Sequence, residues 1–248
     1  MSFPDKNQSP PEFDDRHHSL GATIAPYQTS RAVLSYGDSS KEALAAVERV
    51  AILEFPIADV LEIQGKHAQR FLHGLVTSDI KGMQNGTSSW STALNRKGRL
   101  VTDFTVWCHD EKNYRLVAPG GRGKDLGEHL TQHRVAERVD IEWSEDNYSQ
   151  LLVIGPEANE ILGTEETLGT WECAGISVAH APGPDLKLPC KALLVKHADV
   201  SAVWTELTSK GACPIGTEAY DALRIEAGFV GQICCTAKCV TTARSRIE

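Results

Sequence analysis

The chain has 248 residues, 41% apolar and 23% charged, enough to bury a core in one large domain or two small ones. Its formal charge of −8 at pH 7 argues against a protein built chiefly to grip nucleic acid by its phosphates. No apolar run approaches the roughly 18 residues of a membrane helix. The start, "MSFPDKNQSPPEFDDRHHSLG", lacks the basic end and apolar core of a signal peptide.

These features predict a cytoplasmic protein. The seven cysteines fit reduced thiols better than a disulfide framework, since their number is odd and Cys108, Cys173, Cys190 and Cys213 are scattered. Residues 1–48 carry Pro4, Pro10, Pro11 and Pro26 and little periodicity, and they read as a flexible arm. Within them "KEALAAVERV" suits a short helix. The folded part spans 49–230, in two related halves of about 49–147 and 148–230, and 231–248 reads as an atypical tail.

In the first half, "AILEFPIADVLEIQG" predicts one or two strands. "KHAQRFLHGLVTSDI" predicts a helix, with Ala68, Phe71, Leu72 and Leu75 on one stripe. "TSSWSTAL", "RLVTDFTVWC" and "NYRLVAPG" follow as three strands between turn signals. "DLGEHLTQHRVAE" opens with Asp125 and Glu128 at capping-box spacing, so it predicts a helix, and "RVDIEWS" a further strand. The second half runs "YSQLLVIG" (strand), "PEANEILG" (helix, with Pro156 in its first turn), then "CAGISVAHA" and "KALLVKH" (strands). "DVSAVWTELTSKG" is a helix with Asp199 as N-cap and Gly211 as stop, and "TEAYDALRIEAG" is another. The predicted class is α+β, with mixed or antiparallel sheets and packed helices.

Several motifs resolve to plain readings. "PGGRGKD" fails both phosphate-loop patterns, because Asp125 stands at the hydroxyl position and Leu126 replaces the third glycine, so it is read as a turn. His129 and His133 share a helix face, but "LTQ" between them lacks the metalloprotease glutamate. "CCTAKC" (Cys234, Cys235, Cys239) lacks the spacing of a zinc site, and no metal is expected.

Asp103 is the anomaly. It sits inside an apolar strand, on the face of Val101, Thr105 and Trp107. A buried carboxylate there needs donors or a ligand. Beside Trp107 it would suit a planar, amine-rich ligand. Arg224, in "ALRIEAG", is either a solvated helix residue or an anchor for a ligand carboxylate.

"FLHGLVTSDIKGM", "ALNRKGRLVTDFTVW", "YRLVAPGGRGKDLGEHL", "VIGPEANEIL" and "GACPIGTEAYDALRIEAG" stand in the order found in a known family. Together they resemble the folate-binding family that unites the glycine-cleavage T-protein, an aminomethyltransferase, with the YgfZ-type proteins. The resemblance covers roughly residues 50–230, and "NRKGRLVTDF" and "FLHGLVTSDI" look more like the YgfZ branch. It implies ferredoxin-like modules around a hole that holds tetrahydrofolate, followed by a C-terminal barrel for which the chain ends too early. It also implies a catalytic, folate-contacting carboxylate at Asp103, and Asn95 and Arg224 match family positions; with Trp107, placed beside Asp103 by alternation, they are the expected folate-binding residues. T-protein has two adjacent acids where this chain reads Thr102 and Asp103. Its glutamate-bearing "GYTGEDGFE"-like segment is replaced by "AHAPGPDLKLPCKALLV".

From these differences the expected function is that of a YgfZ-like tetrahydrofolate-binding protein, supporting iron–sulfur enzymes and tRNA modification. The alternative is an aminomethyltransferase that moves a one-carbon unit from an aminomethyl-lipoyl carrier protein to tetrahydrofolate. A truncated or frame-shifted, non-catalytic remnant is the third reading. No direct nucleic-acid or membrane partner is expected.

Overall fold

The computed structural model describes residues 9–229, except 11, 28, 29 and 166. The expectations for the tail 231–248, including Cys234, Cys235 and Cys239, lie outside the described residues. Among the described residues no helix is long and apolar enough to cross a membrane.

The expected arm is instead built into the fold from residue 12 onward. It forms α1 (Phe13–Ser19), β1 (Thr23–Tyr27), β2 (Ser30–Ser35) and α2 (Ser39–Glu48). β1 and β2 pair as an antiparallel hairpin. Asp38 caps α2 by accepting the Lys41 N–H. Local periodicity missed this region because its order comes from distant contacts. Phe13 is fully buried, and Glu54 accepts from Arg16 (2.7 Å) and His17 (3.0 Å). The other nitrogen of His17 lies 2.7 Å from the Tyr36 hydroxyl.

The first half then runs β3 (Ala51–Gln64), α3 (Ala68–His73), β4 (Thr87–Leu94), β5 (Leu100–Asp110), β6 (Asn113–Pro119), α4 (Gly123–His133) and β7 (Asp140–Trp143). The second runs β8 (Tyr148–Ile154), α5 (Ala158–Leu162), β9 (Gly169–Cys173), β10 (Ile176–Pro182), β11 (Cys190–Lys196), α6 (Val200–Ser209) and β12 (Cys213–Pro214). α7 (Thr217–Glu226) follows. Each half therefore repeats strand, helix, three strands, helix, strand. The sequence shows this only loosely, because neither β9 nor the two-residue β12 is legible in it.

The order β4-β5-β6-β3-β8-β11-β10-β9 makes one curled ten-stranded sheet, with β7 and β12 also joining β3. Under the repeat this order reads the same from either end. Its pairs are antiparallel except β12 with β3. β3 is a single long strand: Ala51–Phe55 pairs with β8, and from Ala58 it pairs with β6. The shift between them falls at Pro56, which has no N–H to give a ladder. The α+β class is as expected.

Helices cover the outer faces. α3 and α4 close over Leu61, Phe104, Val106 and Leu116, and α5 and α6 over Leu151, Leu193 and Val195. α7 covers Leu53 and Ile215. A separate inner cluster of Ala58, Val60, Trp107, Val117, Ala181 and Leu194 joins the two halves.

Two predicted caps do not form. α4 starts at Gly123 rather than behind Asp125, and no side chain of its own N-cap residue bonds to it. The Gly123 N–H donates instead to Asp59 on β3 (2.8 Å). A Cβ at Gly123 would come within 2.3 Å of Asp59 Cβ, so the close approach requires glycine. Asp199 likewise makes no cap bond to α6.

Candidate functional site

A cavity of about 340 Å³ lies where β5, β6 and β8 meet α7 and the amino-terminal hairpin. β5 contributes Asp103 and Thr105, and α7 contributes Tyr220 and Arg224. Asp103 is 5% exposed and Arg224 3% exposed. The cavity therefore holds one buried carboxylate and one buried guanidinium on different elements. The spacing of Tyr220 and Arg224, four apart on a helix, puts both on one face.

The Arg224 Nε donates to Asp221 Oδ1 at 2.5 Å. The Tyr27 hydroxyl donates to the same oxygen at 3.0 Å. The Tyr27 ring stacks on Phe55, with centroids 6.3 Å apart, and Phe55 meets Tyr220 edge-on at 5.6 Å. These rings make a flat aromatic wall. Burial, and then the charges of Cys190 and Tyr27, push the Tyr220 phenol well above its ordinary range, so it keeps its proton and remains a donor. At the rim, Trp90 is 39% exposed and meets Phe229 edge-on.

β5 alternates as expected, but its two faces differ in depth. Phe104 and Val106 enter the outer core, while Asp103 and Thr105 face the cavity. Trp107 shares the Asp103 face but does not line the cavity. It is buried in the inner cluster, with the Arg115 guanidinium 5.9 Å from its ring centroid. Asn95 also stands outside the cavity lining. Its Oδ1 accepts the N–H groups of Lys97 and Arg99, so it holds the β4–β5 turn, in which Gly98 takes φ 71°. The expected binding roles of Trp107 and Asn95 thus find no support in their positions.

Thr102 is fully buried, and its hydroxyl donates to the Asp103 carbonyl. Neighbouring strand side chains point to opposite faces, so position 102 cannot supply the cavity with a second acid.

Several lining residues were not foreseen. Tyr27 and Phe55 lay outside the regions read for chemistry. Pro182, at the end of β10, and Gly183, Pro184 and Asp185 just after it line the cavity. A Cβ at Gly183 would lie 2.4 Å from the Cys190 sulfur, so this turn passes too close for a larger residue. The turn reading of "PGGRGKD" matches the positive φ of Gly120 (63°) and Gly121 (80°). The His133 ring donates to the His129 carbonyl. Among the described residues no group of three His, Cys, Asp or Glu is placed to hold a metal.

The GCVT N-terminal domain family matches residues 13–174. The aminomethyltransferase of Nitrosococcus oceani is 27% identical over 231 residues, covering 87% of this chain and 61% of the relative. That of Exiguobacterium sibiricum is 28% identical over 202 residues, covering 77% and 56%. The chain thus spans about 60% of the length of the curated relatives it matches. The glycine cleavage system aminomethyltransferase T of Bartonella henselae superimposes with a TM-score of 0.77 at 20% identity, covering 87% of this chain and 62% of that one. That likeness is one of fold.

Proposed function

The chain belongs to the GCVT N-terminal domain family, and on that premise we propose that its cavity binds tetrahydrofolate and serves aminomethyl transfer from a lipoyl carrier protein. The observation that carries this reading is the burial of Asp103 in a cavity shared with Arg224 and walled by aromatic rings. The cavity volume falls within the roughly 300–1,000 Å³ of small-molecule sites. Flat rings, a carboxylate and guanidinium donors suit a planar heterocycle with both N–H and carbonyl edges.

In this reading the transferred methylene bridges two folate nitrogens. The two protons they lose go to the departing ammonia and the freed lipoyl thiol. Asp103 accepts hydrogen bonds from ring N–H groups and stabilises the positive charge that develops as the amine leaves. Arg224, held through Nε by Asp221, presents donors in a fixed direction. Tyr220 and Phe55 exclude water from that side of the ring.

The relatives are named aminomethyltransferases, which favours aminomethyl transfer over iron–sulfur support and tRNA modification. The position of Thr102 adds to this. Its lack of a carboxylate had counted against transfer, yet it lies on the face of β5 away from the cavity. The remnant reading concerns the segment after Gly228, which lies almost wholly outside the described residues.

Mixing the protein with tetrahydrofolate and an aminomethyl-lipoyl carrier protein should release ammonia. Asp103→Asn should slow that release by about 100-fold or more. Ammonia release independent of folate, or equal in the variant, would refute the reading.

A further inference from the structure

The site draws on a part of the chain that the transfer reading does not use. Asp221 Oδ1 accepts two hydrogen bonds, one from Arg224 on its own helix and one from Tyr27 at the end of β1. Arginine is a long side chain with large rotamer freedom, and a cavity wall needs its donors held in one direction. Asp221 fixes Nε, and Tyr27 fixes Asp221. The stacking of the Tyr27 ring on Phe55 holds its hydroxyl in place.

The hairpin also places the helix that carries Arg224. The Thr217 hydroxyl, in the first turn of α7, donates to the Val33 carbonyl on β2 (3.1 Å). The Gly216 N–H donates to Glu42 on α2 (2.7 Å), whose other oxygen accepts the Tyr36 N–H (2.7 Å). Glu42 is 6% exposed, so these bonds are shielded from water. The amino-terminal segment therefore grips α7 at its start through Glu42 and Val33, and again at Asp221 through Tyr27.

We propose that Tyr27 and Asp221 are positioning residues that hold the Arg224 guanidinium in the cavity wall, which makes the amino-terminal hairpin a working part of the site. The geometric claim stands on the free protein, and only its consequence for affinity rests on the folate reading.

The test uses the full chain labelled with 15N. The Arg224 Nε–H signal, assigned by its loss in Arg224→Lys, should exchange slowly with solvent. Asp221→Ala, which removes the acceptor, should speed that exchange about 10-fold or more, and Tyr27→Phe, which keeps the ring and its stacking, by about 3-fold. Thermal midpoints measured alongside should stay close to the parent for Tyr27→Phe. In titrations with tetrahydrofolate each variant should bind about 3- to 10-fold more weakly. Tyr27→Phe should add nothing once Asp221→Ala is present, because no acceptor then remains for its hydroxyl. Exchange at Nε that is unchanged in both variants would overturn the proposal, whether or not the protein binds folate. Losses of affinity that multiply in the double variant would overturn it too, since Tyr27 would then act independently of Asp221. A parent protein that shows the exchange pattern but no folate binding would support the positioning claim and refute the folate reading alone.

Discussion

Thr102 and Asp103 are neighbours in β5, yet only Asp103 lines the cavity. Thr102 is fully buried on the opposite face, where its backbone partner on β4 is Ala93, a member of the outer core. β5 therefore offers the cavity a single carboxylate. Thr102→Asp should leave ammonia release no faster and should destabilise the fold by about 3 kcal/mol, because it buries an unpaired charge. Thr102→Val should leave folate affinity unchanged. Urea unfolding and a titration of each variant check both statements.

Glu54 carries the junction between α1 and β3. Its side chain is fully buried and accepts from Arg16 and His17, whose side chains are 12% and 0% exposed. Removing the carboxylate takes the anionic partner from both groups, leaving Arg16 with Ser201 and His17 with Tyr36. Glu54→Ala should therefore cost about 3–5 kcal/mol in chemical unfolding. Glu54→Gln, which keeps an acceptor, should cost less.

Gly216 allows α7 to start against β2. A Cβ there would lie 2.0 Å from the Leu34 carbonyl oxygen, which belongs to the backbone and has little room to move. Gly216→Ala should push α7 away from the hairpin. The expected loss is about 1–3 kcal/mol of stability, with weaker folate binding because Tyr220 and Arg224 move with the helix.

Acid should weaken the packing of α4. Burial, and then the adjacent His133, hold the His129 imidazole below the usual histidine range. Between that lowered value and the unfolded value of about 6.5, the unfolded chain binds more protons than the folded one. The stability owed to neutral His129 is thus complete above about pH 6.5 and is lost as pH falls through that value. Urea midpoints measured from about pH 7.5 down to about pH 5 should fall, and His129→Gln should flatten the decline.

The sequence made some of this legible and hid the rest for physical reasons. Alternation assigned Asp103 to the correct face of β5, and helical spacing put Arg224 on α7. Alternation gives a face but not a depth, which is why Trp107 was grouped with Asp103 although it lies in the closed inner cluster. Asn95 looked available because a turn's use of a side chain depends on backbone geometry. The α4 cap comes from Asp59, a residue of another element, and no local pattern encodes that. Tyr27 was hidden for the same reason. β1 is half-exposed along its length, and the partner of its tyrosine lies on the last helix described.

Tetrahydrofolate binding in the cavity around Asp103 is measured by calorimetric titration of the parent protein and of Asp103→Asn. Saturable binding with one site per chain is expected, weakened about 10- to 100-fold in the variant by loss of a charge-assisted hydrogen bond in a buried site. No saturable binding by the parent, or equal affinity in the two proteins, would contradict it.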